Sequence, residues 1–321
     1  MSVITKELGY DQYPYDSYRY DNLVKSARTS SQVLAEIKKT IRLNSQVEFT
    51  RFKDDTPWVL YEFESRGDGD NWSATSTQPG EFSVLNLNSD IIEKYWRSAT
   101  GVKESIVLVC DTKISQGIFF DTLAILGTNL TSSARLRLVA SNNDQRPEEI
   151  IELKSDGSDR IIWTASDLPK ASYRYFRFEI DDPTGKDDFI RIGSIIFGTA
   201  VKLENRPTDS FNVTRTEFKD EVKTLGFTTV SNSKAYTKGL KFDFKDFSLG
   251  SDDYSKITQI FSVVRTSLKA LWIFDPRTPR SRNNYSVFAK LRRLPIEKHR
   301  SLGESQTDSY IDFTIELDES L

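Results

Sequence analysis

Short runs in which every second residue is apolar recur along this chain of 321 residues, and they leave few folds open. "ARLRLVAS" sets Leu136 and Leu138 on one side and Arg135 and Arg137 on the other. "YRYFRFEI" alternates Phe176, Phe178 and Ile180 with Arg177 and Glu179. "LKFDFKDF" does the same with Leu240, Phe242 and Phe244, and "YIDFTIEL" with Ile311, Phe313, Ile315 and Leu317. A period of two buries one face of an antiparallel strand and leaves the other in water. Turn-rich breaks separate the runs: "SRGDGDN", "SNNDQRP", "KSDGSD", "DDPTGKDD" and "DPRTPRSRNN". No βαβ alternation and no repeat of fixed length competes with them. The pattern predicts a mainly β chain made of two antiparallel β-sandwich domains.

Ahead of the strands, Val33, Leu34, Ile37 and Ile41 are spaced for a helix, with Ser30 or Ser31 as N-cap. One short helix over 31–41 is expected, with β patterns from there to the C-terminus. A polar, proline-containing stretch, "KLENRPTDS", marks a boundary. The predicted organisation is an arm with a short helix (1–45), a first β-domain (46–205) and a second (206–321). The arm holds "YDQYPYDSYRYD", with Tyr10, Tyr13, Tyr15, Tyr18 and Tyr20 and no aliphatic residue. Such a segment has no core of its own, and its tyrosines suit contact with another surface.

Charge is nearly balanced, with 44 basic and 47 acidic residues, which argues against nucleic acid or an anionic membrane as partner. The chain has one cysteine and one histidine. Cys110 ends the apolar run "SIVLVCD" and reads as a buried, inert thiol, and His299 reads as a solvated loop residue. One of each excludes an internal disulfide and Cys/His zinc sites within one chain, and the solvated setting of His299 argues against a His-based triad. Chemistry would rest on carboxylates, lysine or tyrosine. No enzyme and no cofactor is expected. There is no apolar run of transmembrane length, and "MSVITKELGYD" lacks the features of a signal peptide. A soluble protein that does not use the secretory route is expected.

Four candidate sites stand out. "RGDGDNW" gathers Asp68, Asp70 and Asn71, oxygen ligands that suit calcium, although a solvated turn explains them as well. "IDDPTGKDD" gathers Asp181, Asp182, Asp187 and Asp188, as a metal or acid/base site or as a charged hairpin tip. Trp58, Trp72, Trp96 and Trp163 would be sugar platforms if exposed. The last is electrostatic. Residues 265–300 carry ten basic against two acidic side chains, whereas residues 301–321 carry six acids and no base. Arg277, Arg280, Arg282, Arg292 and Arg293 are the expected interface residues of that block, which is either neutralised within the domain, meets phosphates with Tyr285 and Phe288 interleaved, or meets another subunit.

The segment "IFFDTLAILGTNLTSSARLRLVASNN" and the later "SYRYFRFEIDDPTGKDDFIRIGSIIFG" resemble the galactose-binding-like jelly roll found in structural proteins of tailed-phage virions. "LWIFDPRTP" and the acidic C-terminal strand resemble the later part of the same proteins. The resemblance implies a non-enzymatic tail or baseplate component, made in the host cytoplasm and built into the virion. Its partners would be further copies of itself in a symmetric ring and neighbouring tail proteins. The rivals are a carbohydrate-binding module for host-surface glycans, a capsid decoration protein and, least favoured, a glycan-degrading enzyme with two convergent carboxylates.

Overall fold

A computed structural model of the chain describes residues 56–64, 71–143, 147–165, 171–205, 207–223, 229–301 and 309–319. The tyrosine arm and the expected helix at 31–41 lie outside the described residues. In chain order the first strands are β1 (Trp58–Leu60), β2 (Trp72–Ala74), β3 (Trp96–Arg97), β4 (Ile106–Asp111), β5 (Thr122–Leu126) and β6 (Arg135–Ser141). Then come β7 (Glu149–Lys154), β8 (Arg160–Thr164), β9 (Tyr175–Asp181), β10 (Arg191–Ile192), β11 (Ser194–Gly198) and β12 (Val201–Lys202). The remainder is β13 (Pro207–Lys223), β14 (Thr229–Ser248), α1 (Asp252–Val264), β15 (Lys269–Ile273), α2 (Pro279–Asn284), β16 (Ser286–Leu291), β17 (Ile296–Ser301) and β18 (Ser309–Glu319).

The first half is a β-sandwich. A five-stranded sheet, ordered β2-β4-β9-β6-β7, faces a three-stranded sheet, β11-β5-β8, and a two-stranded piece, β10-β3, closes one side of the core. The alternation read from the sequence sets the inner face: Phe178 sits in register between Leu108 and Leu138 on neighbouring strands. Leu136, Leu138, Phe176, Phe178 and Ile180 are all at most 1% exposed. Phe176 and Phe197 bridge the two sheets with ring centroids 4.4 Å apart.

The second half is one large sheet, ordered β12-β1-β15-β16-β18-β14-β13, with β17 also paired to β18. Phe242, Phe244, Ile311, Phe313 and Ile315 line its apolar face. That face is covered by α1 through Ile257, Ile260, Phe261 and Val264, with Phe261 5.6 Å from Phe313. This helix is where structure and sequence reading part, since β patterns were expected to run on to the C-terminus. Ile257, Thr258, Ile260, Val263 and Val264 are β-branched, which weakens helix propensity and gives the segment a strand-like composition. The helical spacing of the four buried residues and a Ser251 cap, whose Oγ accepts from the Tyr254 N–H at 3.2 Å, decide otherwise. Asp252 pairs with Lys256 one turn on.

The two halves share a third core. Ala124, Leu126, Ile162 and Ile196, on the outer face of the three-stranded sheet, pack against Trp58, Leu60, Leu271, Ile273 and Phe288 of the large sheet. Hence β5, β11 and β15 are buried on both faces and read as continuous apolar runs. Polar links fasten the same seam. Lys202 Nζ lies 3.3 Å from Asp121 Oδ2 and 3.8 Å from the Trp58 ring centroid. Arg160 Nη1 donates to Glu319 Oε1 and to the Ser286 carbonyl, both at 3.1 Å. Asn283 accepts from the Ile162 N–H at 3.1 Å and donates to Asp156 at 2.9 Å.

Candidate functional site: an arginine–aromatic surface on the sandwich

The two-stranded piece β3–β10 carries the surface that stands out chemically. Its sequences, Tyr95-Trp96-Arg97 and Phe189-Ile190-Arg191, are the same pattern twice: aromatic, apolar, arginine. Period-two geometry sends Trp96, Ile190 and Ile192 into the sandwich core, each at most 2% exposed, and leaves the aromatic and arginine positions outward. The strands pair antiparallel with Arg97 directly opposite Arg191. Each arginine then reaches diagonally to the aromatic residue of the other strand. The Arg97 guanidinium carbon lies 4.0 Å from the Phe189 ring centroid, and that of Arg191 lies 5.7 Å from the Tyr95 centroid. Phe82, from the preceding loop, stacks on Tyr95 at 5.2 Å and covers Arg97 at 5.0 Å.

The backbone beneath is fixed by hydrogen bonds from neighbouring segments. Asn129, from the "GTNL" turn, accepts from the Arg191 N–H at 2.9 Å and donates to the Phe189 carbonyl at 3.0 Å. Asn86 donates to the Tyr95 carbonyl at 3.0 Å, and the Arg97 carbonyl accepts from the Gln78 N–H at 2.9 Å. Ser98 Oγ accepts from the Ile190 N–H at 3.0 Å and donates to the Val102 carbonyl. Gly193 follows β10 because a Cβ there would fall 2.5 Å from the Ile92 carbonyl oxygen.

Neither arginine has a carboxylate partner among the described residues. Arg97 Nη2 donates to Thr100 Oγ1 at 3.1 Å, while its Nε is buried without a partner. Asp187, the acid nearest in sequence to Phe189 with a side-chain bond, is engaged by Asn129 Nδ2 at 2.8 Å. The site therefore presents two guanidinium groups held against ring faces, worth about 0.5–1 kcal/mol per cation–π contact at such exposure.

The sites expected from sequence are placed otherwise. Trp58, Trp72 and Trp96 are 6%, 5% and 0% exposed, so none is a sugar platform; their size recruits them to cores. Trp163 is half-buried against Phe120, 5.6 Å between centroids. Of the acids of "IDDPTGKDD", Asp181, Asp182 and Asp187 serve separate structural bonds, and Asp188 is exposed. Asp181 accepts from the Ser105 N–H at 2.6 Å. Buried Asp182 accepts from Thr131 N and Oγ1 at 2.7 and 2.6 Å. Asp68 and Asp70 lie outside the described residues. Asn71 is 3% exposed and bonded to Asn88 at 2.8 Å and to Cys110 Sγ at 3.5 Å. Among the described residues no group of three or more His, Cys, Asp or Glu is placed to hold a metal ion. Burial pushes the Cys110 thiol well above the usual range, as its strand position implies. His299 is an exposed residue of β17, 3.5 Å from Glu297.

The basic block and the acidic tail meet by strand pairing. Arg293 Nη2 lies 2.8 Å from Glu316 and Arg292 Nε 4.0 Å from Asp318. Arg300 lies 2.6 Å from both Asp246 and Asp312. Arg277 pairs with Asp275 at 2.8 Å, and Arg280 is exposed. Arg282 is half-buried at the seam between the halves, donating to Thr164 Oγ1 at 2.6 Å and to the Pro276 carbonyl. Tyr10, Tyr13, Tyr15, Tyr18 and Tyr20 lie outside the described residues.

Sequence reasoning missed the β3–β10 surface, although the doubled aromatic–apolar–arginine pattern was its signal. No family model matches the chain, and no curated protein matches it. Solved structures do align. Chitosan-binding module 1 of a chitosanase/glucanase from Paenibacillus sp. IK-5 is 12% identical over 43% of this chain and 98% of that one, with a TM-score of 0.34. The family 32 carbohydrate-binding module of Clostridium perfringens NanJ, in complex with galactose, is 14% identical over 43% and 98%, with a TM-score of 0.35. CpGH89CBM32-5 of the same organism, in complex with GalNAc-beta-1,3-galactose, is 12% identical over 40% and 93%, with a TM-score of 0.31. At these scores the assignment of a sandwich rests on the strand orders and registers above.

Proposed function

We propose that this chain is a non-catalytic recognition protein whose β-sandwich binds carbohydrate at the surface of Phe82, Tyr95, Arg97, Phe189 and Arg191. The observation that carries the reading is the pair of arginines with no carboxylate partner among the described residues, set among aromatic rings on a two-stranded support. Sugars offer apolar C–H faces to aromatic rings and hydroxyl oxygens to fixed planar donors, and a preorganised surface loses little entropy on binding. The carboxylates of the 181–188 hairpin that carry side-chain bonds are committed to Ser105, Thr131 and Asn129, so no acid/base couple is assigned. The test is a glycan array with the full chain, followed by calorimetry on the strongest hit. Tyr95→Ala and Arg191→Ala should each abolish the hit while the chain keeps a cooperative thermal transition. Binding that survives both changes, or no array signal at all, overturns the reading.

A second reading keeps the virion component suggested by the phage resemblance, assembled as a homo-oligomer with neighbouring tail or capsid proteins. The observation favouring it is the ribbon formed by β13 and β14. Their pairing continues from Thr216↔Thr237 to Lys223↔Thr229, past Lys238↔Glu319, the last partner that β18 supplies. A two-stranded ribbon is marginal alone and leaves both edges open to other strands. Arm residues 10–20 and the exposed Arg280 are the further contacts assigned under this reading. Mass photometry distinguishes the two: a discrete multimer lost on deleting 216–237 supports assembly, and a monomer at all concentrations rejects it.

A further inference from the structure

We infer, resting on the carbohydrate reading, that the ligand carries an oxyanion, foremost the carboxylate of an acidic sugar, gripped jointly by Arg97 and Arg191. The molecule supplies its own comparison. On the outer face of the five-stranded sheet Arg137 stands opposite both Glu179 and Glu152, and it is ion-paired with Glu179. Across β17 and β18, Arg300 is in register with Tyr310 and pairs with Asp312. At the corner of β4 and β9, Arg174 clamps Asp111 through two bonds of 2.7 and 2.8 Å. Where this chain puts an arginine on a sheet surface it tends to set an acid beside it. On β3–β10 it sets a second arginine there instead.

Like charges directly opposite on paired strands destabilise the pair. Nothing in the fold requires both to be arginine: the outward positions of a two-residue strand accept any polar side chain, and Trp96 and Ile192 supply the inward anchoring. The cost is instead limited by ring contacts, which hold each guanidinium without neutralising it. Arg97 Nε is buried without an acceptor, so the end of the guanidinium that a ligand can meet is the Nη2 end, bonded to Thr100 Oγ1 at an exposed position. Two guanidinium groups held on one face, with no carboxylate partner among the described residues, match an oxyanion, whose lone pairs accept from both forks. The surrounding rings add a face for the apolar side of a pyranose, which favours a uronic or sialic acid over a free inorganic ion.

Calorimetry with three probes tests this: a glucuronate-terminated disaccharide, its carboxyl-reduced neutral form, and glucose 6-phosphate. The acidic disaccharide should bind roughly tenfold or more tighter than the neutral one, the scale of one charge-assisted hydrogen bond. Arg97→Gln and Arg191→Gln should each remove that preference, and added salt should weaken it. Tight binding of the phosphorylated probe alone, with the same arginine dependence, upholds the oxyanion grip and assigns phosphate as its source. Equal binding of acidic and neutral disaccharides overturns the grip and leaves the carbohydrate reading standing. Failure of both charged probes also overturns it, with the array deciding the broader reading. Arg191→Glu gives a readout free of any ligand. It supplies the missing acid opposite Arg97, so it should raise the melting temperature while eliminating oxyanion binding. A lower melting temperature in that variant would show that no charge conflict exists and sink the inference.

Discussion

At the scale of single residues, the chain separates arginines that hold the fold from arginines with no carboxylate partner among the described residues. Arg174 belongs to the first group. Its two bonds to Asp111 hold that carboxyl below the ordinary carboxylate range, the hydrogen bond from Arg174 being the largest cause. A carboxylate whose folded pKa is depressed adds stability above its unfolded value, about pH 4, and loses it as pH falls through the folded value. Asp111→Asn should therefore lower the melting temperature at neutral pH, and the gap to wild type should close in strong acid. A gap that stays constant down to acid pH would mean the pairing does not carry the effect. Arg97 and Arg191 belong to the second group, and their juxtaposition was not legible in advance. Each lies in a strand of two residues, too short for periodicity to announce. Their register depends on Asn129 and Gly193, which a local reading sees only as turn residues. The aromatic–apolar–arginine pattern was visible twice, but nothing local says that the two copies meet.

Elements with one wet face were the readable ones. β6, β9, β14 and β18 alternate apolar and polar residues, and every apolar residue singled out on them is buried. Phe178→Ala on β9 should cost about 3–5 kcal/mol, because its ring is fully enclosed between Leu108 and Leu138. Unchanged urea denaturation in that variant would contradict the packing. Helix α1 was hidden by its β-branched residues, and the sheet it covers supplies the stabilisation that its propensity lacks. Ser251→Ala removes the N-cap acceptor and should cost about 1 kcal/mol. A loss near zero would place the helix's stability wholly in Ile257, Ile260, Phe261 and Val264. Strands buried on both faces, such as β5, β11 and β15, carry no alternation, and the sequence does not say what lies on the second side.

For the whole molecule, that second side is the decisive feature. The three-stranded sheet is the inner layer of the sandwich and, through its other face, the floor of the core shared with the large sheet. Chain order interleaves the layers as well: β1 precedes the sandwich strands in sequence yet pairs with β15, and β12 pairs with β1 on the far edge. The charged block is absorbed in the same way, since antiparallel pairing brings the acidic β18 beside Arg293 and Arg300. The division expected at 205/206 follows a real gap in sequence pattern, and cutting there is a direct test of it. A fragment ending at 205 would expose Ala124, Leu126, Ile162, Ile196, Trp58 and Leu60 to water. Burying a large apolar side chain contributes about 1.5–3 kcal/mol, so the loss exceeds the margin by which a typical domain is stable. The fragment 56–205 should aggregate or show no cooperative transition, and the intact chain should give one calorimetric peak for residues 56–319. A soluble fragment that melts cooperatively near the temperature of the intact chain would show that the shared core is a docking surface between independent domains.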